Sequence, residues 1–186
     1  MMPLAVKLSN RPVLVLGAGM VGVGKARLLI ADGAKVTMIA DRQCAHLPDG
    51  LDTFTLRGYR TGDLRGFTLV VSATGDPQVN DLVVEEARER GVWINVVDDP
   101  DRSDFFFTAV HRSGDVMVSV STQGASPALA QEIRTRIRDY LPKNLGDVAE
   151  RLRSERRLLH QSGASSEGVD WKPLIRELLA GDRAAD

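Results

Sequence analysis

The sequence of 186 residues predicts an α/β fold: a doubly wound parallel sheet, then a small α/β region and a helical C-terminal tail. Three observations predict it. Short β-branched runs alternate with stretches of helical periodicity over roughly the first 110 residues. Those runs are almost continuously apolar, as strands covered on both faces must be. The first of them leads directly into a glycine-rich turn with a helix behind it.

Taken in order, Pro12–Leu16 (PVLVL) reads as a buried strand that stops at Gly17. Val23–Ile30 carries apolar residues at helical spacing, and Gly33 ends that helix. Lys35–Ile39, Thr53–Leu56, Thr68–Ala73 and Trp93–Val97 are the further strands, with a helix from Val79 to Arg90 ended by Gly91. The pattern then changes. Asp115–Ser121 (DVMVSVS) alternates like a strand exposed on one face. Ser126 and Pro127 are a cap and a first-turn proline, and open a helix closed by Pro142. Its stripe of Leu129, Ile133, Ile137 and Leu141 reads as core packing. Leu145, Val148, Leu152 and Leu159 predict another helix, Gln161–Gly168 a linker, and Asp170–Ala180 a final helix.

The expected organisation is a dinucleotide domain over 1–110, a dimerisation region over 111–143 and a helical region over 144–186. An appendage of about 50 residues buries little core alone, so a homodimer is expected. Net charge is −1, which recommends neither nucleic acid nor an anionic membrane as partner. The longest apolar runs fall far short of the roughly 20 residues that cross a bilayer, and Met1–Asn10 lacks the make-up of a signal peptide. A cytoplasmic protein is expected. The single cysteine, Cys44, fits a reducing compartment and reads as inert. His46, His111 and His160 are scattered, so no metal site is expected.

The chemistry begins at Gly17-Ala18-Gly19-Met20-Val21-Gly22. Gly17 permits a tight turn, Gly19 lets backbone N–H groups approach a pyrophosphate, and Gly22 lets the helix pack closely on the strand. The N-terminus of that helix then holds the diphosphate through free amides and its dipole. With the strand before it and the helix after it, the turn predicts a Rossmann-type site for a dinucleotide. Asp41, 24 residues after Gly17 at the end of the second strand, is placed to take the adenosine ribose hydroxyls and so favours NAD. Arg42 beside it pulls the other way, toward a 2′-phosphate. Thr74 and Asn95 stand near two other strand ends, and Asp98 and Asp99 follow the fourth confident strand. Thr74-Gly75-Asp76-Pro77 also reads as a capped loop with no cofactor contact.

The runs GAGMVGVGKARLL, SATGDPQVN, INVVDDP and SVSTQGASPALAQEIR occur in this order. Together they resemble the NAD-dependent dehydrogenase portion of siroheme synthases, over roughly Val6 to Leu152. The resemblance implies a dinucleotide domain, a dimerisation domain with the STQGASP-like turn, and a small helical tail. It implies oxidation of precorrin-2 to sirohydrochlorin with NAD, in a cleft of the dimer, and Asp98 as the catalytic residue. Some members also insert ferrous iron, which this sequence leaves open. The methyltransferase domain fused in some relatives is absent, so a free-standing form is expected.

A proton must leave precorrin-2 together with the hydride, and Asp98 follows the strand that ends beside the expected nicotinamide, so it can be the base. The polycarboxylate substrate calls for donors and cations. Between Ser126 and His160 stand eight Lys/Arg against five Asp/Glu. Arg134, Arg138 and Lys143 are candidates there, and Ser121, Thr122, Gly124 and Ser126 form a turn able to receive carboxylates. Gln123 departs from a common glycine, and Asp104 and Thr108 also depart from the pattern. Phe105-Phe106-Phe107 reads as core packing at the domain junction rather than a stacking platform. Two rivals stand beside the resemblance: an NAD-binding regulatory or redox-sensing module without catalysis, and a dehydrogenase for a small substrate. The first has no use for NVVD together with STQGASP. The second calls for a His, Lys, Tyr or Cys at a strand end, and none is seen there.

Overall fold

A computed structural model describes residues 1–43 and 45–180, and Cys44 lies outside the described residues. The chain divides into two compact units, one ending at Phe106 and the next beginning at Phe107. In the first, strands β1 (Pro12–Ala18), β2 (Lys35–Gln43), β3 (Thr53–Leu56), β4 (Leu69–Ser72) and β5 (Trp93–Val96) form one parallel sheet in the order β3-β2-β1-β4-β5. Helices α1 (Met20–Ala31) and α2 (Pro77–Arg90) provide crossovers. The predicted doubly wound α/β fold is the observed one.

The strand interiors explain the layering. Leu14, Leu16, Val70, Ile94 and Val96 meet Leu64 and the Val83, Val84 and Ala87 side of α2 in one buried cluster. Alternation sends Val13, Val15, Val36 and Met38, all fully buried, to the opposite face. α1 joins none of the first cluster and buries Gly22, Val23, Ala26 and Leu29 instead.

Element ends differ from expectation for physical reasons. β2 continues past Ile39 to Gln43, so Asp41 and Arg42 lie within the strand rather than after it. The pairing shifts from Leu16↔Ile39 to Ala18↔Gln43, leaving an irregular stretch of β2 opposite Gly17. α2 starts at Pro77 rather than Val79, because the Asp76 carboxylate accepts hydrogen bonds from Gln78 N (2.9 Å) and Val79 N (3.3 Å). Capping of this kind lies outside apolar periodicity. Beyond β5, the Asp104 carboxylate accepts from Ile94 N (3.0 Å) and the Ser103 hydroxyl from Val96 N (2.9 Å), closing that sheet edge.

The second unit holds an antiparallel hairpin of β6 (Ala109–Ser113) and β7 (Val116–Val120), then α3 (Pro127–Tyr140), α4 (Leu145–Gln161) and α5 (Lys172–Ala180). β6 is not foreseen by the sequence reading, which leaves 109–113 unassigned. From Phe107 onward, only Ala130 and Val148 are buried among the described residues. The stripe expected to form core is therefore corrected: Leu129 is exposed, and Ile133, Ile137 and Leu141 are half-buried. A two-stranded hairpin and three helices give this unit too little second layer to cover the stripe. Phe105, Phe106 and Phe107 are also half-buried, not core. No described helix is long and apolar enough to cross a membrane.

One buried carboxylate pins α2 to the loop before β4. Glu86 is 2% exposed and accepts from the Tyr59 hydroxyl, from Gly62 N (2.9 Å) and from Arg90 Nε (2.5 Å). Burial pushes the Glu86 carboxyl up, but these donors outweigh it and hold it below the usual range. Burial, then the carboxylate, push the Tyr59 phenol up. Replacing Glu86 with Ala leaves three donors unanswered and is expected to cost about 3 kcal/mol at neutral pH. Because the folded carboxyl titrates low, its contribution is present above the ordinary glutamate range and is lost as pH falls through the lowered value. Urea unfolding of wild type and Glu86→Ala from pH 7 to pH 3 should show the two curves converging in acid.

Candidate functional site

In this strand order the chain leaves β1 toward β2 on one side, and later elements continue on the other through β4. The crevice at the carboxyl ends of β1 and β4 is where such sheets hold ligands. Gly17 has φ +100°, and a Cβ there would lie 2.3 Å from the Ala73 carbonyl oxygen. A Cβ on Gly22 would lie 2.2 Å from the Gly17 carbonyl oxygen. Both glycines are demanded by the protein itself.

Gly19 is different. Its backbone is extended (φ −81°, ψ 179°), which any residue adopts, and a Cβ would meet nothing within 4 Å. Nothing in the polypeptide requires glycine here, so the open space fits a ligand that approaches the backbone. Gly19 is also the cap of α1 and supplies no side-chain hydrogen bond, and the first turn holds no acidic residue. The leading N–H groups of Met20, Val21 and Gly22 therefore form a positive helix end without a carboxylate, as a diphosphate needs. The Met20 and Val21 side chains are exposed beside it. Asp41 and Arg42 are both exposed, in the irregular stretch of β2 between the Leu16↔Ile39 and Ala18↔Gln43 pairs.

Thr74 and Asn95 prove to be engaged by the fold. The Thr74 hydroxyl accepts from Asp76 N (3.2 Å) and donates to Asn80 Oδ1 (3.0 Å), which also takes the Ser72 hydroxyl (2.7 Å). Asn95 is buried and its amide donates to the Phe105 carbonyl (2.9 Å). Asp98 sits in the turn after β5 with φ +62°, a left-handed conformation that Asp tolerates better than most residues. Its carboxylate is on an exposed residue. Its neighbour is tied down: Asp99 accepts from Arg102 Nε (2.6 Å) and Arg102 N (3.2 Å), and Arg102 also meets Asp81. The hydrogen bond from the Arg102 guanidinium, ahead of the opposing effect of desolvation, holds the Asp99 carboxyl below its ordinary value. The two aspartates thus separate, one clamped and one presented. Lys25 of α1 is a residue that the sequence reading did not single out. Burial lowers its ammonium pKa, and the charge of Asp98 works against that shift.

In the second unit, Ser121, Thr122, Gly124 and Ser126 form one turn. The Thr122 hydroxyl accepts from Ser126 N (3.1 Å) and donates to the Ser126 carbonyl (3.0 Å). Ser126 caps α3 by accepting from Leu129 N (3.2 Å), and Ser121 accepts from Gln123 N (3.2 Å). Gln123 has φ +54° and Gly124 φ +87°, which explains why glycine suits position 123. Arg134, two turns into α3, is half-buried with its Nε out of solvent and without a hydrogen-bond partner.

A family model described as NAD(P)-binding matches residues 4–109. The chain belongs to this family. It is 40% identical over 151 residues to siroheme synthase 2 of Aeromonas hydrophila, covering 80% of this chain and 32% of that protein. It is 41% identical over 152 residues to siroheme synthase of Methylococcus capsulatus, and 36% over 191 residues to that of Azotobacter vinelandii. The chain spans about a third of the length of the first two of these relatives. Among solved structures, SirC, a precorrin-2 dehydrogenase, superposes with a TM-score of 0.72 at 20% identity, over 99% of this chain and 100% of that one. At that identity the likeness describes the fold.

The two kinds of glycine separate by experiment. Gly19→Val should cost no more than about 1 kcal/mol of stability, the loss of a better helix cap. It should weaken NAD binding, followed by protein fluorescence, at least about tenfold, roughly 1.4 kcal/mol. Gly22→Val should instead destabilise the fold by more than about 2 kcal/mol.

Proposed function

We propose that this chain oxidises precorrin-2 to sirohydrochlorin with NAD, in siroheme biosynthesis. The observation that carries the proposal is the reach of its similarity to siroheme synthases. The 151 matched residues exceed the first unit, Met1–Phe106, so the likeness extends into the second. A regulatory dinucleotide module would account for the first unit alone.

The site residues are assigned on this reading. The α1 N-terminus with Gly17, Gly19, Met20, Val21 and Gly22 binds the diphosphate, and Asp41 takes the ribose hydroxyls. The Asp41 carboxylate at that position disfavours a 2′-phosphate, which favours NAD over NADP. Thr74 and Asn95 support the crevice by fixing the β4 end and the segment after β5. Bound NAD supplies the hydride acceptor. Asp98 takes the proton that leaves the substrate with that hydride, so precorrin-2 and NAD⁺ become sirohydrochlorin, NADH and a proton on the carboxylate. Ser121, Thr122, Gly124 and Ser126 offer donors to substrate carboxylates, and the guanidinium of Arg134, which also donates to Gln131 Oε1 (3.3 Å), offers a cation. The second unit, with two buried residues among those described, is completed by a second copy of the chain, so the active form is a homodimer. The reaction belongs in the cytoplasm, and ferrous iron, where inserted, is a substrate in transit. No group of three or more metal-ligating side chains occurs among the described residues.

Under anaerobic conditions the purified protein with NAD should convert precorrin-2, with NADH and sirohydrochlorin appearing together in the absorbance spectrum. Asp98→Ala should slow conversion by about 10²–10⁴ while NAD still binds. Binding of NAD with precorrin-2 left untouched by the wild type would favour the sensing module instead. Ferrous iron added to the same cuvette tests chelation by the loss of the sirohydrochlorin spectrum. Sedimentation equilibrium should return the mass of two chains.

A further inference from the structure

The turn that carries Asp98 is held from several sides. Asp98 has φ +62°, a left-handed backbone that strains a residue with a side chain and persists where the surroundings fix it. Within the turn, Asp99 N donates to the Val96 carbonyl (3.1 Å), and the Ser103 hydroxyl donates to the Asp99 carbonyl (2.7 Å). Val97 N reaches back to the Ser72 carbonyl (2.9 Å) at the end of β4. Arg102 adds the side-chain part. Its backbone N and its Nε each take one oxygen of the Asp99 carboxylate (3.2 and 2.6 Å), and its Nη1 pairs with Asp81 of α2. An exposed ion pair alone would hold little. Here the guanidinium is half-buried, and its planar fork bridges carboxylates on two separate elements. The far anchor is firm, since α2 is itself pinned through the buried Glu86 to Tyr59 and Gly62.

We infer that Arg102 is a positioning residue for Asp98: by holding Asp99 in the turn and Asp81 on α2, it fixes the backbone from which Asp98 presents its carboxylate. The inference rests on the reading of Asp98 as the base. Two consequences follow for the proton transfer. A base held in one orientation meets the substrate proton without first losing conformational freedom. Of two adjacent carboxylates, the one already bonded twice by Arg102 is set aside, and Asp98 is left to accept the proton.

Two measurements on the full chain test it. Amide hydrogen exchange of the cofactor-free protein reads the turn directly. In Arg102→Met the amide of Asp99 should exchange about tenfold faster or more, while the amides of β1 keep their protection and show that the variant is folded. An Asp99 amide as well protected as in the wild type would overturn the pin whatever the enzyme does. In the precorrin-2 assay, Arg102→Met should lower kcat about tenfold with KM for both reactants within about twofold. Arg102→Lys keeps the charge without the fork and should retain more of the rate than Arg102→Met. A lysine no better than methionine would overturn a role through the two carboxylates. Adding Arg102→Met to Asp98→Ala should cost less than about twofold, because the residue acts through the base. A full further tenfold loss, or a raised KM at unchanged kcat, would overturn the positioning role. An inactive wild type would remove the base reading and the catalytic role of Arg102 with it, while the exchange data would still report whether Arg102 holds the turn.

Discussion

The missing side chains at Gly17 and Gly22 set the geometry on which the nucleotide unit depends. With them absent, α1 comes down onto the carbonyl of Gly17, and Gly17 onto the carbonyl of Ala73. That single stack of backbone on backbone joins β1, α1 and the end of β4. It opens the crevice between β1 and β4 and aims the helix N-terminus into it. A methyl group at either position would lift the helix by more than a side-chain adjustment can absorb, because the opposing atoms are backbone. Gly19 stands between these two glycines and makes no such contact, so its conformation speaks of a ligand where the others speak of packing.

Much of this was legible in the sequence, because it rests on period and punctuation. The continuous apolar character of the strands foretells a sheet covered on both faces, and the glycine spacing foretells the turn. What escaped was set by polar contacts between distant residues. The start of α2 depends on the Asp76 carboxylate, and the continuation of β2 through Asp41 and Arg42 depends on its pairing with Ala18. The division of labour between Asp98 and Asp99 depends on Arg102, and neither residue type nor spacing announces it. Glu86 looks like one more charge on an amphipathic helix until Tyr59 and Gly62 close over it. Thr74 was readable either way, as cofactor contact or capped loop, and its hydroxyl turns out to be bonded to Asp76 and Asn80.

The second unit repeats the lesson with opposite sign. Its helical stripe has the right period for a buried face, and period is what the sequence displays. Burial needs a partner surface, and within one chain those residues stay half-covered. The hairpin strand β6 was missed because its short run, Ala109–Ser113, sets Val110 and Arg112 outward and has no fully buried side to give it contrast. On the proposed homodimer, a second chain would cover this stripe, and the pattern and the single-chain burial would then agree.

The two margins of the sheet are finished differently. At β5, Ser103 and Asp104 act as a stand-in strand, a hydroxyl and a carboxylate answering the amides that a neighbour would otherwise recruit. At β3, no described strand lies outside Thr53–Leu56, and Leu56 is 64% exposed. Unanswered strand margins are where chains add to one another when protein is concentrated or partly unfolded. The sheet therefore has one direction in which unwanted growth is blocked and one in which it is limited mainly by the brevity of a four-residue strand.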